Sequence, residues 1–425
     1  MHNKQVNLTR EVAYRILIQI YEGKVFFDSA FNKQVIKYKL DNNQKKYIYN
    51  LVLTTIRNHI ICNQIILKFS KKKINLKSNI LLIIAVTQIL FLKSPNYAVV
   101  NTTVDISKKI QGVNSSFINA ILRKIVNNIK ELNKLKIKFN DLPQWFRDEV
   151  RDWNKITQNN FLNCLTQKPS LHIVFKNNID TKKLKDLGKS TTKKSMFVKQ
   201  NDQIKDIPYY NDGLWWVQDF SAMLPIYLLG NIKDLRTVDM CAAPGGKTLQ
   251  LLSNNVNLDI YEKNNKKIID LKKNLHRCGY KININCLDSL KIKKENFYDI
   301  AVLDAPCSAI GTIRRNPEIL FRKNKPDINS LSGYQFDLLE KAASLIKKNG
   351  LILYIVCSFF RKETNSVINK FLNKNKDFSL QEFKRTSLSS PFINKYGQIK
   401  MIPSTIDENY YIDGFFASIL KKTND

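Results

Sequence analysis

The stretch that decides the fold is DMCAAPGGKT, Asp239–Thr248. Its pattern predicts a strand that ends at Met240, a loop of small residues, and a helix that begins near Lys247. Gly245 and Gly246 allow the backbone to approach a ligand closely, and the helix N-terminus directs N–H groups at a bound carboxylate. A glycine turn between a strand and a helix is weak evidence when it stands alone, because many such turns contain glycine.

Acidic residues at the ends of the next two predicted strands strengthen that evidence. Glu262 ends the segment LDIYEK, and Asp288 follows the next strand in the segment CLDS. A carboxylate at the first of these positions receives ribose hydroxyls in nucleotide-binding sheets. One at the second position could hold an adenine amino group. The series predicts a nucleotide-like cofactor along the carboxyl edge of a parallel sheet.

Two further strand ends carry reactive groups. YDIAVLDAPCS ends with Asp304, Pro306 and Cys307, and GLILYIVCS ends with Cys357 and a serine. Active groups of open α/β sheets gather at the carboxyl ends of the strands. We therefore expect the two cysteines to converge on one cleft.

The remaining cysteines and the histidines indicate a reducing compartment and no metal site. The seven cysteines show no framework spacing, and the four histidines lie far apart in the sequence. Four cysteines are interpreted as buried small apolar side chains: Cys62, Cys164, Cys278 and Cys286. The N-terminal sequence lacks the apolar core of a signal peptide, and the run Ile80–Leu92 is too short to cross a bilayer. We expect a cytoplasmic protein with no membrane partner.

The pattern of predicted secondary structure changes twice along the chain, which predicts a multidomain fold. Residues 1–138 have helical periodicity, with a cap expected at Thr9, and predict an all-α bundle. Residues 139–230 mix short strands and helices, as in a small α+β subdomain. Residues 231–425 alternate strand and helix, which predicts a doubly wound, mainly parallel sheet.

The charge balance admits a nucleic-acid partner without establishing one. The chain has 69 Lys and Arg against 36 Asp and Glu, a formal net charge of +33. Such a surface attracts polyanions. Lysine far outnumbers arginine, however, so compositional drift on a solvated surface remains an equal explanation.

The motifs resemble those of the bacterial RNA cytosine-5 methyltransferase family. The resemblance rests on DMCAAPGGKT, on DAPCSAIGTIRRNPEI, on the VCS that ends at Ser358, and on the terminal DGFFASILK. The helical segment SSFINAILRKI is similar to the antitermination factor NusB. This pairing of domains resembles the family members that act on small-subunit (16S) ribosomal RNA. It implies a NusB-like RNA-binding bundle, an α+β middle subdomain and a Rossmann-like S-adenosylmethionine-dependent methyltransferase domain.

The resemblance also implies a role for each site residue. Cys357 attacks carbon 6 of cytosine, Cys307 assists release, and Asp304 shares a proton with N3. Lys247 contacts the substrate or lowers the pKa of the attacking thiol, although a solvated lysine in the first helical turn stays an alternative. The residues assigned to cofactor binding are Cys241, which also packs within the loop, Ala242, Ala243, Pro244, Gly245, Gly246, Lys247, Glu262, Asp288 and Asp304.

Two features depart from the family pattern. Val356 stands where the family usually has threonine, and SFFRKETN replaces the usual Pro-Glu-Glu-Asn segment with room for one extra residue. Both changes affect the loop around Cys357 and leave the nucleophile in place.

The expected partner is small-subunit ribosomal RNA, unassembled or partly assembled, bound by a monomeric enzyme. The target cytosine must leave its stack to reach the sulfur, and Arg314, Arg315 and Arg322 are candidates for phosphate or base-stacking contacts. Two alternatives remain open at this point: methylation of transfer RNA or another RNA, and a non-catalytic RNA-binding protein. DNA is a weaker candidate, because DNA cytosine methyltransferases attack with the cysteine that corresponds to Cys307.

Overall fold

The computed structural model describes residues 2–23, 25–70, 72–176, 184, 187–199, 204–407 and 409–423. The chain divides into two compact units. The helical unit consists of residues 1–167 together with 313–325, and the sheet unit consists of residues 168–312 and 326–425. The division at 138/139 and 230/231 stays a prediction.

The helical unit is built from amphipathic helices around α5, which is buried along most of its length. The apolar run at Ile80–Leu92 thus forms the centre of a bundle, and no helix in the described residues is long and apolar enough to cross a membrane. The helices are α1 His2–Tyr21, α2 Phe27–Tyr38, α3 Asn42–Arg57, α4 His59–Phe69, α5 Leu76–Leu90, α6 Asn96–Lys108, α7 Ser115–Asn127, α8 Ile129–Leu132, α9 Gln144–Glu149 and α10 Lys155–Leu165.

The predicted cap at Thr9 is wrong. Helix α1 already begins at His2, and Thr9 lies buried inside it. No glycine or proline precedes Thr9 to interrupt the helix, so the helix extends further toward the N-terminus than its apolar pattern.

Residues 313–325 belong to the helical unit although they follow the Pro-Cys motif in sequence. The ring of Phe321 lies 4.5 Å from the ring of His59. The buried carboxylate of Glu318 accepts a hydrogen bond of 3.2 Å from the N–H of Phe27, the first residue of α2. A carboxylate at this helix end satisfies a free N–H and complements the helix dipole.

The sheet unit contains a small antiparallel sheet in the order β2-β3-β1-β4. Its strands are β1 Leu171–Phe175, β2 Gly188–Thr192, β3 Ser195–Val198 and β4 Trp215–Val217. Trp215 and Trp216 on β4 are buried.

The large sheet follows the order β10-β14-β9-β8-β5-β6-β7, with β11 also paired to β14. Strands β5 to β9 pair in parallel, and β14 is antiparallel to β9. The strands are β5 Arg236–Met240, β6 Asn257–Tyr261, β7 Ile284–Asn285, β8 Tyr298–Asp304, β9 Ile346–Val356, β10 Phe378–Gln381, β11 Ile399–Met401, β12 Ser404–Thr405, β13 Tyr411–Ile412 and β14 Phe415–Lys422.

The helices of the sheet unit alternate with its strands, so the predicted doubly wound architecture is confirmed. They are α11 Phe220–Tyr227, α12 Gly246–Ser253, α13 Asn265–Arg277, α14 Ile328–Leu345 and α15 Asn365–Lys374. Strand β5 has β6 on one side and β8 on the other. The strand order therefore reverses at β5, which is where open α/β sheets bind their ligands.

Candidate active site

The loop from β5 to α12 requires a glycine at position 245. Gly245 has a φ of +106°, and a Cβ there would lie 2.5 Å from Cδ1 of Leu271. L-amino acids rarely adopt this backbone conformation, so the turn requires glycine. A Cβ on Gly246, the first residue of α12, would come no nearer than 3.6 Å to Gln218.

Glu262 follows β6 and is buried beside this loop. Its Oε2 accepts a hydrogen bond of 3.3 Å from the N–H of Ala243, and its Oε1 accepts one of 2.9 Å from Asn264. An ionised carboxylate offers about four acceptor positions, so about two remain for ribose hydroxyls.

Asp288 is held at the neighbouring strand end. Its Oδ1 accepts a hydrogen bond of 3.1 Å from the N–H of Leu290, and its Oδ2 lies 3.2 Å from Nζ of Lys263. Asp288 thus caps the helical turn after β7 while it keeps acceptor capacity for an amino group.

Lys247 and Asp304 form an ion pair. Nζ of Lys247 lies 2.8 Å from Oδ2 of Asp304, and its side chain is 11% exposed. The same ammonium lies 5.1 Å from the ring centroid of Phe415 on β14. Lys247 is therefore not a solvated residue of the first helical turn. The ion pair joins the first turn of α12 to the end of β8.

The two cysteines predicted to converge do so. The Sγ atoms of Cys307 and Cys357 lie 3.2 Å apart, and both residues are partly exposed. Both residues differ in this from Cys62, Cys164 and Cys278, which are buried.

Hydrogen bonding to Cys357 and burial raise the pKa of the Cys307 thiol well above its usual value, with the negative charge of Glu363 adding to the effect. Cys307 therefore keeps its proton at neutral pH and can donate it to the sulfur of Cys357. The thiolate is the nucleophilic form of cysteine.

One of the four cysteines interpreted as buried does not fit that interpretation. Cys62, Cys164 and Cys278 are buried, but Cys286 is exposed, and its Sγ lies 2.9 Å from Oδ1 of Asn265. Cys286 follows β7, the two-residue strand at the edge of the large sheet, so little structure covers it.

Two acidic residues near the site were missed by sequence reasoning. Asp239 on β5 is buried and accepts a hydrogen bond of 2.6 Å from the hydroxyl of Thr248, and burial raises its pKa to about 7. The sequence feature that could have identified Asp239 is an acidic residue within a predicted apolar strand. Glu363 lies buried shortly after Cys357, within the segment that departs from the family pattern, so no motif pointed to it.

The predicted RNA contact of Arg314 is wrong. Arg314 is fully buried, and its carbonyl accepts hydrogen bonds of 3.3 and 3.2 Å from the guanidinium of Arg57. Arg322 lies 4.0 Å from the ring centroid of Phe26, and only part of its surface remains accessible. Because residues 313–325 pack within the helical unit, successive arginines face opposite ways, and Arg315 is the exposed one.

The described residues contain no group of three or more His, Cys, Asp and Glu side chains arranged to hold a metal ion. The site residues instead suit a nucleotide-like methyl donor. The glycine turn leaves space beside the backbone, and acids with free acceptor positions stand at the ends of β6 and β7. This fold and this site define a Rossmann-like methyltransferase.

Comparisons with known proteins agree with this class. Residues 226–421 match the model of the family described as 16S rRNA methyltransferase RsmB/F, and residues 7–127 match the NusB family. This chain is thus similar to the RsmB/F methyltransferases in its C-terminal half and to NusB in its N-terminal part. Its methyl donor is S-adenosylmethionine.

Full-length relatives share this organisation. The chain is 26% identical to a probable ribosomal RNA small subunit methyltransferase B of Synechocystis sp., over 97% of this chain and 99% of the relative. It is 27% identical to ribosomal RNA small subunit methyltransferase B of Pasteurella multocida, over 97% and 96% of the two chains. The crystal structure of PH0851 covers 97% of this chain and 98% of its own, with 21% identity and a TM-score of 0.71, and so shares its fold.

Proposed function

We propose that this protein methylates carbon 5 of a cytosine in small-subunit (16S) ribosomal RNA through a covalent bond between Cys357 and carbon 6. The observation that carries the proposal is the pair of sulfur atoms 3.2 Å apart at the carboxyl edge of the sheet. The names of the RsmB/F family and of the full-length relatives support the choice of RNA.

The chemistry explains the need for a thiolate. Carbon 5 of cytosine is a poor nucleophile, and addition of the Cys357 sulfur to carbon 6 turns the ring into an enamine that can attack an electrophile. S-adenosylmethionine supplies that electrophile as a methyl group on a positively charged sulfur. Asp304, which pairs with Lys247, shares a proton with N3 while negative charge develops on the ring.

The second sulfur serves the release step. After methylation, carbon 5 must lose its proton, and the bond between the Cys357 sulfur and carbon 6 must break to restore the ring. While Cys357 is bonded to carbon 6 its sulfur is a weaker hydrogen-bond partner, so the main cause that raises the pKa of Cys307 is reduced. Cys307 then ionises more readily and can accept the carbon-5 proton.

The target base must leave its stack to reach these sulfurs, which favours a single-stranded or loop cytosine in RNA that is unassembled or partly assembled. The NusB domain supports the choice of ribosomal RNA over transfer RNA. Exposed Arg315, close in sequence to Cys307, is a candidate phosphate contact.

Mass-spectrometric mapping tests the proposal. The enzyme is incubated with isotopically labelled S-adenosylmethionine and naked small-subunit ribosomal RNA, with transfer RNA as a parallel substrate. We expect the label on carbon 5 of a cytosine in the ribosomal RNA only. Label in transfer RNA alone, on another base, or on a different atom of cytosine would contradict it.

A further inference from the structure

Glu363 is a buried carboxylate that contacts both catalytic loops. It lies in the helical turn after β9 and is fully buried. Its Oε1 accepts a hydrogen bond of 2.7 Å from the N–H of Ser308, and its Oε2 accepts one of 2.5 Å from the hydroxyl of the same serine. Oε2 also accepts a hydrogen bond of 2.6 Å from the hydroxyl of Ser358.

The two serines are the residues that directly follow the two cysteines. Ser308 follows Cys307 after β8, and Ser358 follows Cys357 after β9. A single carboxylate therefore ties together the two strand ends that carry the sulfurs. Movement of either loop would break at least one of these hydrogen bonds.

The backbone around Glu363 is also fixed. Its carbonyl accepts a hydrogen bond of 2.8 Å from the hydroxyl of Tyr354, and its Oε1 also accepts one of 3.1 Å from the amide of Gln335. The N–H of Gly311 donates a hydrogen bond of 3.0 Å to the carbonyl of Cys357, which gives the two loops a second connection.

No lysine, arginine or histidine among the described residues pairs with Glu363, so hydrogen bonds alone compensate its burial. Burial of a carboxylate lowers the free energy of unfolding because the charge loses its contact with water. An apolar side chain could fill the same space without that loss. What the carboxylate adds is a directional attachment to both serines at once.

We propose that Glu363 is a positioning residue that sets the separation of the Cys307 and Cys357 sulfurs. The proposal rests on the proposed function for its catalytic consequence, because release requires Cys307 to reach carbon 5 while Cys357 is bonded to carbon 6. The separation itself can be measured without catalysis.

Equilibration with glutathione measures how close the two sulfurs are. Oxidised glutathione takes two electrons from the Cys307 and Cys357 thiols, which form a disulfide and lose two protons, and two molecules of reduced glutathione are produced. The equilibrium constant gives the effective concentration of one thiol at the other. Peptide mapping by mass spectrometry identifies this disulfide among the other cysteines.

Glu363→Gln keeps the size of the side chain but replaces one acceptor oxygen with an N–H₂ group, which faces either the N–H of Ser308 or the two serine hydroxyls. We expect the effective concentration to fall at least tenfold relative to the natural protein. Arg361→Ala, an exposed change in the same turn, is the matched control and should leave it unchanged. An unchanged value in Glu363→Gln, or no Cys307–Cys357 disulfide in the natural protein, would overturn the proposal.

The serine variants separate geometry from charge and cover the case in which Glu363→Gln fails to fold. Ser308→Ala and Ser358→Ala keep the charge of Glu363 and remove its hydroxyl donors, and each should lower the effective concentration severalfold.

With methylation as the second readout, Glu363→Gln should lower kcat at least tenfold and leave KM for RNA within about twofold. A lowered effective concentration in a protein that never methylates cytosine would leave the positioning role standing and reject the proposed function. A rise in KM without a change in kcat would reject the positioning role.

Discussion

Lys247 donates a hydrogen bond of 2.8 Å from Nζ to Oδ2 of Asp304, and so links the helix after β5 to the end of β8. If this ion pair holds Asp304 for proton sharing, Asp304→Asn should lower the methyl-transfer rate by about 100-fold, a usual magnitude for general acid–base catalysis. Lys247→Met should have a similar effect, and the double variant should be no slower than the slower single variant. Single-turnover kinetics measure the three rates, and additive effects would show that the two side chains act independently.

The two cysteines should fail in different ways. We expect Cys357→Ala to abolish methyl transfer, because no sulfur remains to add to carbon 6. Cys307→Ala should still form the bond to RNA and then accumulate it, because release is impaired. Denaturing gels with labelled RNA distinguish the two outcomes. An adduct that accumulates in Cys357→Ala would reverse the assigned roles.

Gly245 and Gly246, at the junction of the β5–α12 loop and helix α12, should differ in their tolerance of a side chain. Gly245→Ala places a Cβ 2.5 Å from Leu271 at a φ of +106°, and should cost about 1–2 kcal/mol of unfolding free energy. Gly246→Ala meets no atom closer than 3.6 Å and should change the unfolding free energy by less than about 0.5 kcal/mol. Urea titrations without cofactor measure both values, and equal effects would contradict the strain argument.

Stability should depend on pH through Asp239, whose pKa is raised by burial from 3.8 to about 7. Between these values the folded protein binds more protons at Asp239 than the unfolded chain does, so the unfolding free energy falls as pH rises. The stabilising contribution of protonated Asp239 is complete below about pH 4 and is lost as pH passes through 7.

Asp239→Asn should remove this dependence, because the amide cannot ionise while its oxygen can still accept from Thr248. Relative to the natural protein, the variant should gain up to about 1.4 kcal/mol per pH unit between about pH 4 and 7, and nothing further above that range. Urea titrations at several pH values test this, and a difference that does not vary with pH would exclude Asp239 as the titrating group.

Neighbouring arginines should separate RNA binding from stability. Arg315→Ala should weaken RNA binding and reduce the slope of log affinity against log salt by about 1, because an exposed phosphate contact is lost. Arg314→Ala should lower the melting temperature, because a fully buried side chain is removed. Fluorescence titrations at several salt concentrations and thermal melts give the two values, and an unchanged salt slope in Arg315→Ala would rule out the phosphate contact.

The sequence predicted the features that depend on local pattern. The alternation of strand and helix after Leu235 indicated the parallel sheet, and the carboxyl-edge rule predicted that Cys307 and Cys357 lie close together. Both inferences need only the period of the apolar residues and the direction of parallel strands.

What the sequence could not show depends on contacts between distant segments. Arg314 and Arg315 are identical in type and adjacent, and only the packing of residues 313–325 with the helical unit decides which one is buried. Glu363 gave no recognisable signal, because its partners Ser308 and Ser358 meet it only after two neighbouring strands have paired.

The path of residues 313–325 limits how this protein can be divided into separate fragments. The chain leaves the sheet unit after Thr312 and rejoins it at Pro326, so no single cleavage point separates the two units cleanly. A fragment that starts at Lys168 would keep Phe321 and Glu318 but lose the side chains that cover them.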